Sequence, residues 1–216
     1  MQAARMSVAL ERFRERPALG LLRPQAGRLQ APARWELAGL AGRLSELSAP
    51  GGAAVLTLAL ALVWEAQEAG ETPAWVTTSR SGFYPPDAAA QGIDLDALAV
   101  VRVPDVRAVS RAAERLARSG AFGLLVLDLG AGAFIPIAWQ GRLVRHAQRH
   151  DTAIVCLTEK PDRASSLGSL VSLHGHGSCR REGDARFVCT LTISKDKRNG
   201  PGWQQQEAYH GPPGLR

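Results

Sequence analysis

Cysteine is scarce in this chain of 216 residues, and its few copies suggest no pairing. The three cysteines, Cys156, Cys179 and Cys189, are odd in number and form no C-x-x-C motif. Disulfide frameworks usually contain an even number of cysteines. We therefore expect no disulfide framework, and a reducing, cytoplasmic compartment.

Long apolar runs are also missing. The longest mainly apolar run, residues 53–64, is well short of the roughly 20 residues that a membrane-spanning helix needs. Arg5 is followed by no apolar stretch of the signal-peptide type, because charged residues interrupt the segment from Glu11 onward. We expect neither a membrane span nor a membrane partner.

The overall composition is that of a globular protein. Hydrophobic residues make up 45% of the chain and charged residues 21%, which excludes a wholly disordered protein. The length suits one α/β domain with a sizeable core. A formal net charge of +6 permits an acidic partner such as nucleic acid, but it carries no information about the fold.

Short apolar strands alternate with helices in the middle of the sequence, which indicates βαβ units and a parallel sheet. The predicted strands are 43–47, 74–77, 98–103, 124–128 and 153–157, and the predicted helices are 53–69, 106–118 and 139–150. After about residue 170 the helical pattern stops. Strands at 171–174, 185–194 and 204–210 are expected to extend one edge of the sheet in antiparallel fashion.

The first 41 residues differ in character from the rest. We predict a short helix at 7–16, followed by a basic linker arm that contains proline and glycine, with the core covering 42–216. Leu10 and Phe13 belong to a narrow apolar stripe on this helix. The stripe could pack on the chain's own core, but its separation by the linker favours a partner-binding role.

The turn after the first predicted strand stands where a phosphate-binding loop would lie. Such a loop needs the pattern G-x-x-x-x-G-K-[ST], whose lysine and hydroxyl contact the phosphates and Mg²⁺. In this chain Val55 and Leu56 occupy the lysine and hydroxyl positions. The full degenerate loop comprises Ala49, Pro50, Gly51, Gly52, Ala53, Ala54, Val55 and Leu56. We expect no catalytic residue, no cofactor and no ATP hydrolysis.

Asp128 ends the apolar strand 124–128, where proteins with an intact loop hold a magnesium-bound water. Without the lysine and hydroxyl, we interpret Asp128 as a relic that is hydrogen-bonded to the turn near Gly51. Further along, His174, His176 and Cys179 form an H-x-H-x-x-C pattern. No fourth ligand has matching spacing, so we expect a loop and no metal there.

Several segments resemble the core of the RecA recombinase. They are 42–47, 57–60, 65–72, 92–98, 116–121, 125–128 and 194–201, and the resemblance covers about 42–213 in one order. It implies a RecA-like, P-loop-type core with a mainly parallel central sheet. It also implies that Lys195, Lys197 and Arg198 lie in a segment that reaches a neighbouring subunit, although a solvated hairpin end is the alternative.

Departures from RecA narrow the resemblance. Ser79 stands in the place of the catalytic glutamate, Glu159 approximately matches the polar switch residue, and the second DNA loop shrinks to about 161–168. The segment after Asp128 is too short for the first DNA loop, and no C-terminal domain is expected. This combination resembles the ImuA family, RecA-like accessory proteins of the bacterial SOS response and damage-induced mutagenesis.

That resemblance implies a non-catalytic role in DNA repair and translesion synthesis. Expected partners are RecA, whose filament and strand exchange the protein would cap or inhibit, an ImuB-type Y-family polymerase homologue, and an error-prone replicative-type polymerase. The alternatives are a SulA-like cell-division inhibitor and a weak nucleotide- or DNA-binding ATPase.

Two arginine stripes on predicted helices are candidate DNA contacts. They consist of Arg107, Arg111, Arg115 and Arg118 on one helix and Arg142, Arg145 and Arg149 on another. A solvated helix face is the alternative, because no aromatic residue for base stacking is predicted among these arginines. We expect weak, non-specific DNA binding at most.

Overall fold

An eight-stranded sheet forms the centre of the part of the chain that the structure describes. The computed structural model describes residues 33–51, 53–78, 83–161, 164–182 and 186–210. The strands are β1 (Leu44–Ala49), β2 (Pro73–Thr78), β3 (Ala99–Val103), β4 (Leu124–Ala131), β5 (Ala153–Glu159), β6 (Leu173–Arg181), β7 (Arg186–Asp196) and β8 (Gln204–His210). Their order across the sheet is β3-β2-β4-β5-β1-β6-β7-β8.

The strand directions confirm the predicted fold class. The six strands from β3 to β6 in this order are parallel, and β7 and β8 are added as antiparallel strands. The antiparallel direction expected for the strand at 171–174 is wrong, because β6 pairs with β1 in parallel. The strand β1 lies between β5 and β6, and all six of its residues are buried. The first turn after β1 therefore opens at the centre of the sheet's carboxyl edge, where α/β proteins bind ligands.

Helices cover both faces of the sheet. They are α1 (Leu37–Leu40), α2 (Ala53–Glu68), α3 (Pro85–Ala90), α4 (Val106–Ser119) and α5 (Ile137–His150), with a short 3₁₀ turn at Leu95–Ala97. The long helices α2, α4 and α5 match predicted ones to within two residues at each end. By contrast, α1, α3 and the 3₁₀ turn were not predicted, because they are too short to show an apolar period.

The two faces have separate cores. On one face α2 packs with Leu58, Leu62 and Val63 against inward-facing residues of the sheet such as Trp75 and Val155. This helix is apolar nearly all round, as a deeply buried helix must be. On the other face α4 and α5 pack together over a second core, whose members include Val109, Ala113, Leu143, Ala147, Leu125 and Ile154.

The hydrophobic core includes residues that were assigned to the N-terminal linker arm, before the predicted boundary at residue 42. Trp35 is 5% exposed and Leu40 is fully buried, and both belong to the core beneath α2. The backbone N–H of Trp35 also donates to Oε1 of Gln205 in β8 at 2.8 Å. The predicted helix at 7–16, with Leu10 and Phe13, lies outside the described residues.

One prediction about cysteine is wrong. Cys179 and Cys189 lie opposite each other in the antiparallel pair β6–β7, with their Cα atoms 4.1 Å apart, and they form a disulfide. Counting and spacing could not show this pairing, because it depends on the register of a hairpin. Cys156 remains a free thiol, and burial raises its pKa. Within the described ranges, no helix is long and apolar enough to cross a bilayer.

Candidate functional site

The phosphate-loop position is filled by apolar side chains. Val55 is 3% exposed, and Leu56 is partly buried against the core beneath α2. Ala49 and Ala54, at the two glycine positions of the motif, are also buried. Gly51 has a φ of +69°, so the turn still has the left-handed residue that favours glycine. The scaffold of the loop is present, while the groups that contact phosphate are replaced by hydrophobic ones.

Close packing also brings the first turns of α2 onto β6. A Cβ atom added to Gly177 would lie 3.2 Å from Leu58 Cδ1 and 3.4 Å from Ala54 Cβ. Glycine at this position therefore permits the close approach of helix and strand. Gly52 of the loop and Ser79, at the place of the catalytic glutamate, lie outside the described residues.

Asp128 lies near the carboxyl end of β4 and is 8% exposed. Thr77, in the neighbouring strand β2, donates to Asp128 Oδ2 at 3.3 Å. This contact joins two adjacent strands, and a hydrogen bond between Asp128 and the turn near Gly51 stays a prediction. Glu159, the approximate match to the switch residue, is exposed at the end of β5.

A polar cluster that was not predicted lies beside the degenerate loop. Glu46, in β1, is fully buried, and its Oε1 atom accepts from Lys160 Nζ at 2.6 Å and from Thr158 Oγ1 at 2.9 Å. His174 Nε2 lies 3.9 Å from the same Glu46 oxygen. We call Glu46, Ser48, Thr158, Lys160 and His174 the carboxyl-end cluster. Burial of a carboxylate is tolerated here because it is paired and hydrogen-bonded.

The two histidines of the H-x-H-x-x-C pattern belong to the same region. His174 is 2% exposed, and its two ring nitrogens lie 2.8 Å from Ser48 Oγ and 3.2 Å from Ser194 Oγ. Burial lowers the pKa of His174 to about 4, so the imidazole is neutral at pH 7. The third member of the pattern, Cys179, is in the disulfide. Among the described residues no group of three or more His, Cys, Asp or Glu side chains could hold a metal.

Glu46 also fixes the connection between β5 and β6. Its Oε2 atom accepts from the backbone N–H of Leu167 at 2.6 Å, and Lys160 Nζ donates to the carbonyl oxygen of Ser165 at 3.0 Å. On the other side, Gln140 Nε2 donates to the carbonyl oxygen of Leu167 at 3.2 Å. We call residues 164–170 the clamped loop. It lies in and beside the segment that the resemblance assigns to a shortened second DNA loop.

The two lysines predicted to meet a partner also hold the clamped loop. Lys195 Nζ donates to Ser166 Oγ at 3.3 Å and to the carbonyl oxygen of Gly168 at 3.1 Å. Lys197 Nζ donates to the carbonyl oxygen of Ser169 at 2.5 Å. Burial, together with the charge of Lys197, lowers the pKa of Lys195. Arg198 donates to the carbonyl oxygen of Ala41 at 3.1 Å, so all three cations make contacts within their own chain.

A buried ion pair at the opposite end of β1 was also missed. Arg43 precedes β1 and donates to Asp196 Oδ1 at 2.6 Å, and both side chains are almost fully buried. Asp196 accepts further hydrogen bonds from the backbone of Arg198, from Asn199 and from Trp203. Burial raises the pKa of Asp196, but the hydrogen bonds from Arg43, Arg198 and Asn199 outweigh it and lower the pKa to about 2.

The two arginine stripes form one exposed surface. The helices α4 and α5 pack side by side, and Glu114 on α4 lies 3.6 Å from His146 on α5. Arg142 lies 5.1 Å from the centre of the Trp139 ring, which is partly buried against the second core. We call this surface the arginine face, and its seven exposed cations are Arg107, Arg111, Arg115, Arg118, Arg142, Arg145 and Arg149.

The strand order and the degenerate loop define a RecA-like α/β core without the groups of a phosphate-binding site. No protein-family model matches the chain. It is similar to the RecA protein of Deinococcus radiodurans, with 33% identity over 129 residues. This similarity covers 54% of the chain and 35% of that protein, so the chain spans about a third of the length of the curated relative it matches.

Proposed function

We propose that this chain is a non-catalytic, RecA-like accessory protein of the ImuA type, acting in the DNA-damage response and translesion mutagenesis. One observation carries the proposal: a RecA-like core has Val55 and Leu56, packed and apolar, where phosphate binding needs a lysine and a hydroxyl. Lys160, at the same edge of the sheet, is engaged with Glu46 at 2.6 Å. The RecA-like scaffold therefore favours a role in binding to RecA-like surfaces over a role in nucleotide hydrolysis.

Calorimetric titration with Mg-ATP tests the non-catalytic half of the proposal. We expect no saturable binding at millimolar nucleotide, because positioning and electrostatic contacts to the phosphates supply most of the binding in such sites. The RecA protein of Deinococcus radiodurans, measured under the same conditions, is the positive control. Micromolar binding, or turnover that is abolished by Asp128→Asn, would show that the chain is an ATPase.

The partner half of the proposal concerns RecA. A RecA-type filament grows by a heterologous contact, in which each subunit offers one surface to the next and a different one to the previous subunit. A subunit that has this outline but lacks phosphate contacts could join a filament end without continuing nucleotide-driven assembly. The protein would then cap RecA filaments, reduce strand exchange, and bring RecA close to an ImuB-type Y-family polymerase and an error-prone replicative-type polymerase.

Purified RecA provides the direct test. We expect a stoichiometric excess of this protein to shorten RecA filaments and to lower RecA's ATPase rate and strand exchange. Lys197→Glu should weaken the effect, because Lys197 is exposed in the segment that the resemblance assigns to the subunit contact. Arg186→Glu, an equally exposed cation at the start of β7, is the matched control. Unchanged filament length, ATPase rate and strand exchange would contradict the RecA half of the proposal.

A further inference from the structure

The arginine face gathers positive charge that the rest of the structure leaves uncompensated. The two helices α4 and α5 contain seven arginines and only one acidic residue, Glu114. That carboxylate is already 3.6 Å from His146. Within the described ranges, none of the seven arginines takes part in an ion pair. A surface of this kind attracts polyanions over a distance of about 10 Å at moderate salt.

Hydrophobic patterning does not explain where these arginines lie. Both helices bury small and aliphatic residues, such as Ala113 and Ala147, against the second core. The arginines are all exposed, on the side away from that core. A solvated face would be equally stable with mixed charges, since Glu and Arg have similar helix propensities. Folding alone therefore does not explain why the exposed charges of these helices are nearly all positive, whereas an anionic ligand does.

The loops that the resemblance links to DNA are poor candidates in this chain. The connection between β4 and α5 comprises only residues 132–136. The clamped loop, for its part, is held by Glu46, Gln140, Lys195 and Lys197 through hydrogen bonds to its backbone or to Ser166. Lys195 is partly buried and donates to Ser166 and Gly168, so it is poorly placed to contact phosphate. The arginine face, whose seven cations are exposed, is the better candidate for a nucleic-acid contact.

We infer that the arginine face binds the phosphate backbone of nucleic acid, independently of any contact with RecA. Each helix has 14 residues and is therefore about 21 Å long. Along the axis of B-form DNA each strand has one phosphate about every 3.4 Å, so a face of this length spans roughly six phosphates of one strand. Guanidinium groups pair well with phosphate oxygens, in bidentate geometry. Binding through such contacts alone is insensitive to sequence and strongly dependent on salt.

Fluorescence anisotropy on the full chain tests this inference, with labelled oligothymidylate and a duplex of equal length as separate probes. The decisive variant is Arg111→Gln, Arg115→Gln, Arg142→Gln, Arg145→Gln, which removes two exposed arginines from each helix. We expect its affinity at low salt to fall on the order of a hundredfold, and its salt slope to shrink by about three. The probe with the larger change identifies the preferred form, single-stranded or duplex.

A second quadruple variant controls for net charge. Arg34→Gln, Arg102→Gln, Arg180→Gln, Arg186→Gln removes the same charge from exposed positions outside the arginine face. We expect a loss of less than about fivefold, since only long-range attraction changes. An equal loss in both variants would overturn the inference. So would displacement of the oligonucleotide by polyglutamate of equal charge, because the face would then recognise acidic protein. RecA is absent from all of these measurements, so a negative result would not bear on the proposal that the protein binds RecA.

Discussion

The two ends of strand β1 both hold a buried carboxylate, but they use it differently. At the amino end, Asp196 is paired with Arg43 and accepts from further donors, and the pair joins the start of β1 to the end of β7. At the carboxyl end, Glu46 is paired with Lys160 and lies among side chains that titrate, including His174. Within the described residues, both ring nitrogens of the adjacent His176 are buried without a hydrogen-bond partner.

This difference separates an ion pair whose partners are all within the packed body from a cluster at the edge of the sheet that α/β proteins use for ligands. The amino end is satisfied in full, as expected of a buried ion pair that serves stability. The polar groups of the carboxyl-end cluster lie at the edge of the sheet where α/β proteins bind ligands. In this chain Glu46 and Lys160 hydrogen-bond to the connection between β5 and β6.

The largest expected effect comes from removing the centre of the carboxyl-end cluster. Glu46→Ala removes an acceptor from Lys160, Thr158 and the N–H of Leu167, and it leaves the partly buried Lys160 without its anionic partner. Breaking one side of a buried ion pair costs about 3–5 kcal/mol of unfolding free energy. Urea denaturation measures this loss directly.

Glu159→Ala is the matched control for that experiment. Glu159 lies at the same edge of the sheet but is exposed, so its removal should change the unfolding free energy by less than about 0.5 kcal/mol. If Glu46→Ala lowers the unfolding free energy no more than Glu159→Ala does, then the carboxyl-end cluster does not stabilise the fold.

An intermediate effect is expected when Asp196 is titrated with acid. Hydrogen bonds from Arg43 and its neighbours hold the pKa of Asp196 at about 2, below the ordinary value of 3.8. The folded state therefore binds this proton more weakly than the unfolded state does. The stability that the ionised carboxylate contributes, about 2 kcal/mol, is present above pH 3.8 and is lost as the pH falls toward 2.

The variant Asp196→Asn isolates this contribution from that of other acids. Urea denaturation of both proteins between about pH 5 and pH 2 should show the gap in unfolding free energy narrowing as the pH falls. Other carboxylates titrate in both proteins and cancel in the difference. If the difference in unfolding free energy between the two proteins stays constant across this range, then the contact with Arg43 does not stabilise the ionised form of Asp196.

The sequence predicted the helices and strands better than the contacts of the buried polar residues. Apolar period and turn residues located the long helices and seven of the eight strands, because burial against a sheet requires those patterns. For β6 only 171–174 was predicted, whereas the strand is Leu173–Arg181 and includes the region that was expected to be a loop. Glu46 was missed because the polar residues among the leucines of 43–47 are typical of a strand with one solvated face. The strand β1 is central and covered on both faces, so its polar residues are buried too.

Other features depend on contacts between distant residues and leave no local signal. Arg43 and Asp196 are separated by 153 positions, and nothing near either residue indicates the other. The disulfide between Cys179 and Cys189 depends on the register of β6 and β7. By contrast, Val55 and Leu56 could be recognised at once, since the pattern they depart from is local.

The smallest expected effect separates the two lysines of the clamped loop. Lys195 is partly buried and makes two contacts, to Ser166 and Gly168, whereas Lys197 is exposed and contacts Ser169. We expect Lys195→Met to lower the unfolding free energy by about 1 kcal/mol and Lys197→Met by less than about 0.5 kcal/mol. Amide hydrogen exchange in the clamped loop should quicken in the first variant more than in the second. Equal effects in both measurements would mean that exposure does not distinguish the lysines, and that Lys197 stabilises its own chain as strongly as Lys195 does.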